Sequence, residues 1–330
     1  MNFNQSSAMK KETTPDFNNP NIMNIDVVIP TYNRLWSIQK VVPDYLMKPE
    51  VNKVIVVDDG STDGTFQWLN RLCIDQPKLV LVRHPKRLGA CAARNDGAAK
   101  VQSPYVFFAD DDMLLAPEKA FSTLLNELIN GNAEIIAPIL MFPENVEPEF
   151  PITSRKPPTD LLFMYNRVLL ERKPIGMLLQ TLPGVSFQSS QLPGVMLMRR
   201  SVIDKIRYDE SLGDTSYRDE TDFQLKAIDH DFRLLACPKA FLIDLSTYTD
   251  NGGCHTTNLL SYEISCCHNN WRILKRHRFV LPKIGIQTPI QIMQMLFMIH
   301  HFFNLLPRRL IYRFRLKTGL FVHSEHTKVF

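Results

Sequence analysis

Three adjacent carboxylates follow the apolar run Tyr105–Ala109, which has the composition of a buried strand. Asp110, Asp111 and Asp112 repel one another there and lose hydration unless a cation or several hydrogen-bond donors satisfy them. Carboxylate oxygens suit Mg²⁺ or Mn²⁺, which bind one or two carboxylates together with phosphate oxygens. A solvated acidic loop is the plainer alternative, but the apolar strand before it disfavours that interpretation. The triplet therefore predicts a divalent-metal site.

A second acidic motif, RDETD at 218–222, opens a predicted helix over Asp219–Asp229. Asp219 could be the N-cap, with Asp222 three residues later making the reciprocal capping hydrogen bond, an arrangement that has no catalytic role. Glu220, however, falls in the first helical turn, where the helix dipole favours an ionised carboxylate. Because a general base must be ionised at the working pH, the motif predicts a catalytic base.

Two further polar motifs also follow predicted strands. The turn DDGSTDG at 58–64 could hydrogen-bond a base and ribose, although turns and helix caps use the same residues for structural reasons. The small-residue segment Gly89–Gly97 could open a helix whose N–H groups face an anion. From that helix Arg94 could reach a nucleotide or phosphate, or could simply pair with a surface acid.

The elements that must position these motifs alternate between strand and helix. Their strands are continuous apolar runs, which implies burial on both faces and a mostly parallel sheet wound with helices. Ligands of such open sheets bind at the carboxyl ends of the strands, where these motifs lie. The first predicted strands are Ile25–Thr31, Val54–Val57, Leu79–Val82 and Tyr105–Ala109, and the helices between them are Leu35–Leu46, Thr65–Ile74 and Ala90–Val101.

The second half of the predicted domain continues the alternation. A loop rich in proline and glutamate is expected at 143–160. The other predicted elements are a helix at Pro117–Asn130, strands at Glu134–Leu140, Gly194–Met198 and Arg233–Ala236, and helices from Ser201 and over Asp219–Asp229.

Composition bounds the class of protein. An apolar fraction of 45% and a charged fraction of 22% exclude wholesale disorder. The six cysteines form no C-x-x-C pairs, so reduced thiols are favoured over a disulfide framework. Residues 1–24 are polar and lack the apolar core of a signal peptide, which predicts a disordered tail and a cytoplasmic location.

The C-terminal region, residues 246–330, is predicted to be helical and basic. Residues 264–330 contain eleven Lys and Arg residues and a single acid, so this end has a net charge of +10 and residues 1–263 have a net charge of −6. A helix from Thr288 to about Leu306 has a wide apolar face, but it is too interrupted for a transmembrane span. We favour an interfacial helix on the anionic inner face of a membrane. The alternative is a helix that packs against a domain or a second subunit, and nucleic-acid binding is disfavoured because no recognition fold accompanies the charge.

Five motifs in order resemble glycosyltransferase family 2, whose members have the GT-A fold. They are VIPTYNR at 28–34, DDGSTDGT at 58–65, ARNDG at 93–97, the Asp triplet and DETD at 219–222, and the match extends over residues 25–245. The resemblance implies inverting, metal-assisted transfer from a nucleotide-diphospho-sugar to the hydroxyl of a carbohydrate or lipid-linked acceptor, as in cell-surface polysaccharide or glycolipid synthesis. A non-catalytic sugar-nucleotide binder or a membrane-surface scaffold of the same fold is the alternative.

The resemblance also implies roles for individual residues. Asp112 would bind the metal that bridges the diphosphate, while Asp110 tends toward the ribose and is a second metal candidate. The family's usual order at the base is Glu-Asp and here it is Asp219-Glu220, so Glu220 is preferred and Asp219 stays open. The expected donor-binding residues are Pro30, Thr31, Asn33, Arg34, Asp58, Asp59, Arg94, Asp110 and Asp111.

Two downstream motifs are candidates for metal binding. Some relatives have a further metal or phosphate ligand where GGCH occurs here, which makes His255 a candidate. His268 adjoins Cys266 and Cys267, a combination that zinc prefers, but the spacing lacks two separated ligand pairs and helix packing is favoured.

Overall fold

A computed structural model describes residues 24–141, 186–190, 192–213, 215–245, 258–307 and 310–311. The strands are β1 (Ile25–Thr31), β2 (Val51–Asp58), β3 (Leu79–Arg83), β4 (Tyr105–Phe108), β5 (Met113–Ala116), β6 (Ile135–Met141), β7 (Phe187–Gln188), β8 (Met196–Arg199) and β9 (Leu234–Asp244). The helices are α1 (Leu35–Met47), α2 (Thr65–Asp75), α3 (Ala90–Ala98), α4 (Ala120–Asn130), α5 (Arg200–Lys205), α6 (Asp219–Asp229), α7 (Leu259–Arg276) and α8 (Ile290–His300).

These strands form one sheet in the order β3-β2-β1-β4-β8-β6-β9-β5, with β7 paired to β9. β3, β2, β1 and β4 are parallel, as their continuous apolar sequences predict. Beyond β4 the sheet is mixed, because β8 runs antiparallel to both β4 and β6 while β6 and β9 are parallel. The carboxyl ends of β1, β2 and β4 therefore meet at one edge of the parallel half.

Helices cover both faces of the sheet, and neighbouring residues of β4 show why. Side chains alternate across a strand, so Phe107 and Phe108 point in opposite directions. Phe107 packs between Tyr45 of α1 and Phe121 of α4, with ring centroids 5.9 and 5.0 Å away. Phe108 packs on the other face against Tyr208, at 5.3 Å. Burial on both sides holds the β4 carboxyl end, and hence the acidic triplet, in place.

Close packing of α3 depends on its small residues. A Cβ added at Gly97 would lie 2.4 Å from Cγ1 of Val28 and 3.3 Å from Cγ2 of Val57. Glycine therefore lets α3 lie directly on β1 and β2, which brings Arg94 close to the sheet edge.

The C-terminal helices pack against α6. Leu225 of α6 shares a buried cluster with Ile273 of α7 and Met293 of α8. No helix among the described residues combines the length and apolar character needed to cross a bilayer.

Most predicted elements are confirmed, with shifted ends. α3 ends at Ala98 rather than Val101, and the helix predicted from Thr288 begins at Ile290 with Pro289 as its N-cap. The closing strand β9 is eleven residues long, and its second half pairs with β5, which the sequence did not predict. The predicted loop at 143–160 and the predicted tail, apart from residue 24, lie outside the described residues.

Candidate active site

The acidic triplet lies at the carboxyl edge of the sheet, and its three side chains diverge. Asp111 points inward and accepts a hydrogen bond of 2.7 Å from the hydroxyl of Thr31. Asp110 and Asp112 stay partly exposed, with 21% and 16% of their side-chain surface accessible. A guanidinium N–H of Arg34 donates to Asp112 over 3.3 Å. Thr31 and Arg34, both expected to contact the donor, thus already position the triplet.

Burial and mutual repulsion act on these carboxyls as the sequence predicts. Burial raises the pKa of Asp111 to about 6, although Arg34 and Thr31 oppose the shift. Burial, reinforced by Asp111 and Asp110, raises the pKa of Asp112 to about 8. A cation between Asp110 and Asp112 would remove this penalty. The divergence of the side chains leaves one or two carboxylates for such an ion, so the residues fit Mg²⁺ or Mn²⁺ completed by phosphate oxygens.

Arg94 joins the triplet to the second acidic motif. One of its terminal nitrogens donates to Asp110 over 2.9 Å, and the other makes a short contact with Asp219. Its guanidinium also lies 5.4 Å from the centre of the Tyr208 ring. Arg94 therefore pairs with acids, as the alternative expects, but it is itself buried, and of its partners Asp219 is buried and Asp110 only partly exposed.

The RDETD motif opens α6, but not through a capping arrangement. Arg218 occupies the N-cap position with a left-handed φ of 64°, and Asp219 is the first residue of the helix. Asp222 instead binds Arg276 and His277 of the C-terminal region, over 2.7 and 2.9 Å. The interpretation of Asp219 and Asp222 as a cap is therefore wrong.

Asp219 and Glu220 differ in their surroundings. Asp219 is buried against Arg94 and accepts from the backbone N–H of Glu220 over 2.8 Å. Burial raises the pKa of Asp219 to about 8 against the lowering effect of Arg94. Glu220 is half-buried and lies beside Gly194, where an added Cβ would stand 3.6 Å from the Glu220 Cβ.

The two acids after β2 also differ. Asp59 accepts from the backbone N–H groups of Leu88 and Gly89, over 2.7 and 2.8 Å, and from His84 over 2.7 Å. Asp58 accepts from the backbone N–H of Ser61, and its second oxygen makes no hydrogen bond among the described residues but lies 3.7 Å from Nε of Arg83, in an ion pair. Burial raises the pKa of Asp58. Asp59 therefore shapes the loop, while Asp58 is fully buried and pairs with Arg83.

The segment after β1 is tied to the DDGST turn by Asn33. Its backbone N–H donates to the hydroxyl of Ser61 over 2.9 Å, and its side-chain oxygen accepts from the N–H of Thr62 over 2.7 Å. Pro30 pairs with Val57 near the end of β1. Asn33 thus acts within the loop as well as being a candidate donor contact.

Sequence reasoning missed two residues of this site. His84, directly after β3, bridges Asp59 and Asp96 with distances of 2.7 and 2.9 Å. Asp244, at the end of β9, adds to the repulsion that raises the pKa of Asp112. The position of His84 at a strand's carboxyl end could have revealed it, but the place of Asp244 depends on β9 pairing with β5.

The two downstream metal candidates have different outcomes. His255 lies outside the described residues. Cys266 does not meet His268 in a cluster but lies with Glu263 and His301, whose ligand atoms are all within 4.8 Å of one another.

In sequence, residues 26–207 match the family described as glycosyl transferase family 2, which is more than half of the 330-residue chain. The chain belongs to this family. Among relatives of this family 2 chain, an uncharacterized glycosyltransferase of Haemophilus influenzae is 31% identical over 96 residues, which are 29% of this chain and 38% of that protein. The dolichyl-phosphate beta-glucosyltransferase of Saccharomyces cerevisiae is 31% identical over 98 residues, 27% of this chain and 29% of the relative. The chain thus matches well under half the length of either relative.

A solved structure confirms the GT-A fold of this family 2 chain. The mannosyltransferase PcManGT from Pyrobaculum calidifontis, in complex with GDP-Man and Mn²⁺, superposes with a TM-score of 0.56 at 15% identity. The similarity covers 90% of this chain and 79% of that one, and it concerns the fold alone.

Proposed function

We propose that this family 2 protein transfers a sugar from a nucleotide-diphospho-sugar to an acceptor hydroxyl, with a divalent metal and with inversion. The observation that carries the proposal is the bridge from Asp110 through Arg94 to Asp219. Through it the acidic loop and the start of α6 contact the same guanidinium. A donor diphosphate at the loop and a base at Glu220 would then share one site.

The donor would lie along the carboxyl edge of the parallel strands. Asp58, whose second oxygen pairs with Arg83 but makes no hydrogen bond among the described residues, would accept from the nucleobase, and Asp110 would accept from the ribose. Asp112, with Asp110, would hold Mn²⁺ or Mg²⁺, which supplies Lewis-acid neutralisation of the departing nucleoside diphosphate. PcManGT, whose structure contains GDP-Man and Mn²⁺, supports this class of donor and metal by its shared fold.

Glu220 is the proposed general base. Asp219 is engaged by Arg94 and its raised pKa makes it a poor proton acceptor near neutral pH. Glu220 is half-buried at the helix start, where the helix dipole favours its ionised form. It would take the proton from the acceptor hydroxyl as that oxygen attacks the anomeric carbon opposite the leaving group.

Donor binding and turnover test this function. Thermal unfolding should shift upward when Mn²⁺ is added with UDP, GDP or dTDP, and not with the nucleotide or the metal alone. UDP-glucose, UDP-N-acetylglucosamine, GDP-mannose and dTDP-glucose would then be screened for release of the nucleoside diphosphate. Glu220→Gln should keep the thermal shift and lose about tenfold or more of the turnover, whereas unchanged turnover would remove the base assignment. Absence of any metal-dependent shift would favour a scaffold.

We further propose that the C-terminal helices bind an anionic membrane surface at the cytoplasmic face, where a lipid-linked or polysaccharide acceptor would be presented. Met295, Ile299 and Phe303 repeat at helical spacing and are 54%, 48% and 81% exposed. The net charge of +10 from residue 264 onward complements anionic lipid. The apolar face would enter the headgroup boundary while the basic side chains meet the lipid phosphates.

Flotation with vesicles tests the membrane proposal. The chain should float with vesicles of phosphatidylcholine and phosphatidylglycerol, and Phe303→Asp should reduce the floated fraction severalfold. Ile74→Asp is the matched control, because Ile74 on α2 is also 81% exposed but lies far from the basic end in sequence. Equal flotation of the two variants would contradict the proposal, and a stable dimer without flotation would favour an oligomer interface.

A further inference from the structure

The turn that precedes the proposed base is conformationally demanding. Arg218 adopts a left-handed φ of 64°, which costs energy for a side chain other than glycine or asparagine. Its guanidinium lies 5.3 Å from the ring centres of both Tyr217 and Phe297 of α8. Such a conformation persists when surrounding structure holds it, and Phe297 of the C-terminal helices supplies part of that structure.

A buried polar chain reaches this turn from α7. Glu263 and His301 are both fully buried, and Nδ1 of His301 lies 2.5 Å from Oε2 of Glu263. Nε2 of the same ring lies 3.3 Å from the hydroxyl of Tyr217. Phe297, which is itself fully buried, stacks on the imidazole with ring centroids 4.0 Å apart. Burial of a glutamate without such partners would be costly, so these hydrogen bonds favour one arrangement of α7, α8 and the turn.

A metal ion explains this cluster less well than hydrogen bonds do. Cys266 lies close enough to complete a three-ligand group with Glu263 and His301. Both ring nitrogens of His301 already face hydrogen-bond partners, however, whereas a metal needs a free nitrogen lone pair. The separation of 2.5 Å is also a hydrogen-bond distance, shorter than two ligands of one ion would adopt.

A second anchor lies just beyond the base. Asp222 binds Arg276 over 2.7 Å and His277 over 2.9 Å, and both of these residues belong to the end of α7 or follow it. Asn269 of α7 donates to the backbone carbonyl of Leu212 over 2.9 Å. The segment that carries Glu220 is therefore held on both sides by groups from the C-terminal helices.

We propose that Glu263, His301 and Tyr217 are positioning residues for the base at Glu220, acting through the turn 217–219. This proposal rests on the role given to Glu220 above. The C-terminal helices then set the orientation of the base as well as offering a surface, so the turnover of the enzyme depends on residues that do not touch its substrates.

Hydrogen–deuterium exchange of the full chain tests the positioning directly. Glu263→Gln and Tyr217→Phe should accelerate exchange in peptides covering 215–222 by about tenfold, and leave peptides covering β1 unchanged. Tyr105→Phe is the matched control, since Tyr105 is a buried tyrosine at the amino end of β4. If both test variants exchange at the same rate as Tyr105→Phe in the peptides covering 215–222, the proposal is overturned. Tyr217→Phe removes only one hydroxyl group, so it tests the proposal even if Glu263→Gln fails to fold.

Turnover supplies the second readout. With UDP-glucose or GDP-mannose and Mn²⁺, whichever donor wild type hydrolyses, Tyr217→Phe should lower kcat about tenfold and leave donor KM within about twofold. In a Glu220→Gln background the same change should cost nothing further, because it acts through Glu220. A full additional loss would overturn the proposal. If Glu220→Gln has wild-type turnover, the assignment of Glu220 as the base is wrong. The exchange measurement would still show whether Glu263 and Tyr217 hold the turn 217–219. One bound zinc per chain, lost in Cys266→Ala, would overturn the proposal in favour of a metal site.

Discussion

Replacing Arg94 by alanine would uncouple the two acidic motifs. In the native chain its guanidinium pairs with Asp110 and Asp219, and the Arg94 and Asp219 side chains are only 10% and 7% exposed. Removing one partner of a buried ion pair costs about 3–5 kcal/mol, because the carboxyl left behind must either keep a charge without a partner or take up a proton. Arg94→Ala should therefore lower the free energy of unfolding by about that amount. Arg200→Ala, which breaks an exposed pair with Asp204, should cost under about 1 kcal/mol.

A double-mutant cycle separates this charge effect from lost packing. Asp219→Asn removes the carboxyl that Arg94→Ala leaves without its partner, so the double variant should be more stable than the sum of the single changes by about 2 kcal/mol. The free energies would come from urea unfolding at pH 8.5. Additivity within about 0.5 kcal/mol would refute the assignment of Arg94 as the bridge.

The pH dependence of the same variant gives an independent check. Folded Asp219 has a pKa of about 8, so between its unfolded pKa near 4 and this value the folded state holds a proton that the unfolded state lacks. Stability from this group is thus lost as pH rises through that window. Because Arg94 lowers the pKa, its removal raises the pKa further, and Arg94→Ala should lose more stability than wild type between pH 6 and pH 9. Parallel pH profiles would contradict this reasoning.

Three further predictions concern the metal loop, the helix anchor and the small-residue helix. Asp112→Asn should abolish the thermal shift that Mn²⁺ produces with UDP or GDP. The metal-free variant should be as stable as wild type or more stable at pH 8, because the change removes a buried carboxyl whose pKa is raised. A metal-free variant less stable than wild type would indicate a structural role for Asp112. Asp222→Asn should lower the free energy of unfolding by about 2 kcal/mol at pH 7, because the partners of Asp222 outweigh its burial and lower its pKa to about 2. Urea unfolding should show that this loss is constant down to about pH 5 and becomes smaller below about pH 4. Gly97→Ala should destabilise by about 1–3 kcal/mol through the clash with Val28, and an unchanged urea midpoint would mean that α3 can move away from the sheet.

Local patterns predicted the parallel half of the sheet well. The strands Ile25–Thr31 and Leu79–Val82 are recovered within one residue of their ends, because continuous β-branched runs between turn residues have few other stable arrangements. β5 was not predicted, since its four residues, Met113–Ala116, gain their structure from pairing with β9 rather than from their own preferences.

The roles of the acids were harder to predict than their presence. Sequence order identified Asp58 and Asp59 as a pair, but it could not show that Asp59 is occupied by two backbone N–H groups and His84. Likewise, the RDETD motif permitted a cap as well as a base. The cap is excluded because Arg218 takes the N-cap position, and because Asp222 pairs with Arg276 and His277, which lie some fifty residues away in the C-terminal region.

The sequence by itself therefore determined that three carboxylates follow a buried strand, and that these carboxylates need compensating charge or hydrogen-bond donors. Burial of the strand and adjacency in the chain are local properties, so this conclusion needed no coordinates. Tertiary structure decided how the demand is met: Asp111 turns to Thr31, Asp112 to Arg34, and Asp110 to Arg94. Such contacts depend on which helices the sheet brings to its edge, and the free energy that selects them is distributed over the whole core.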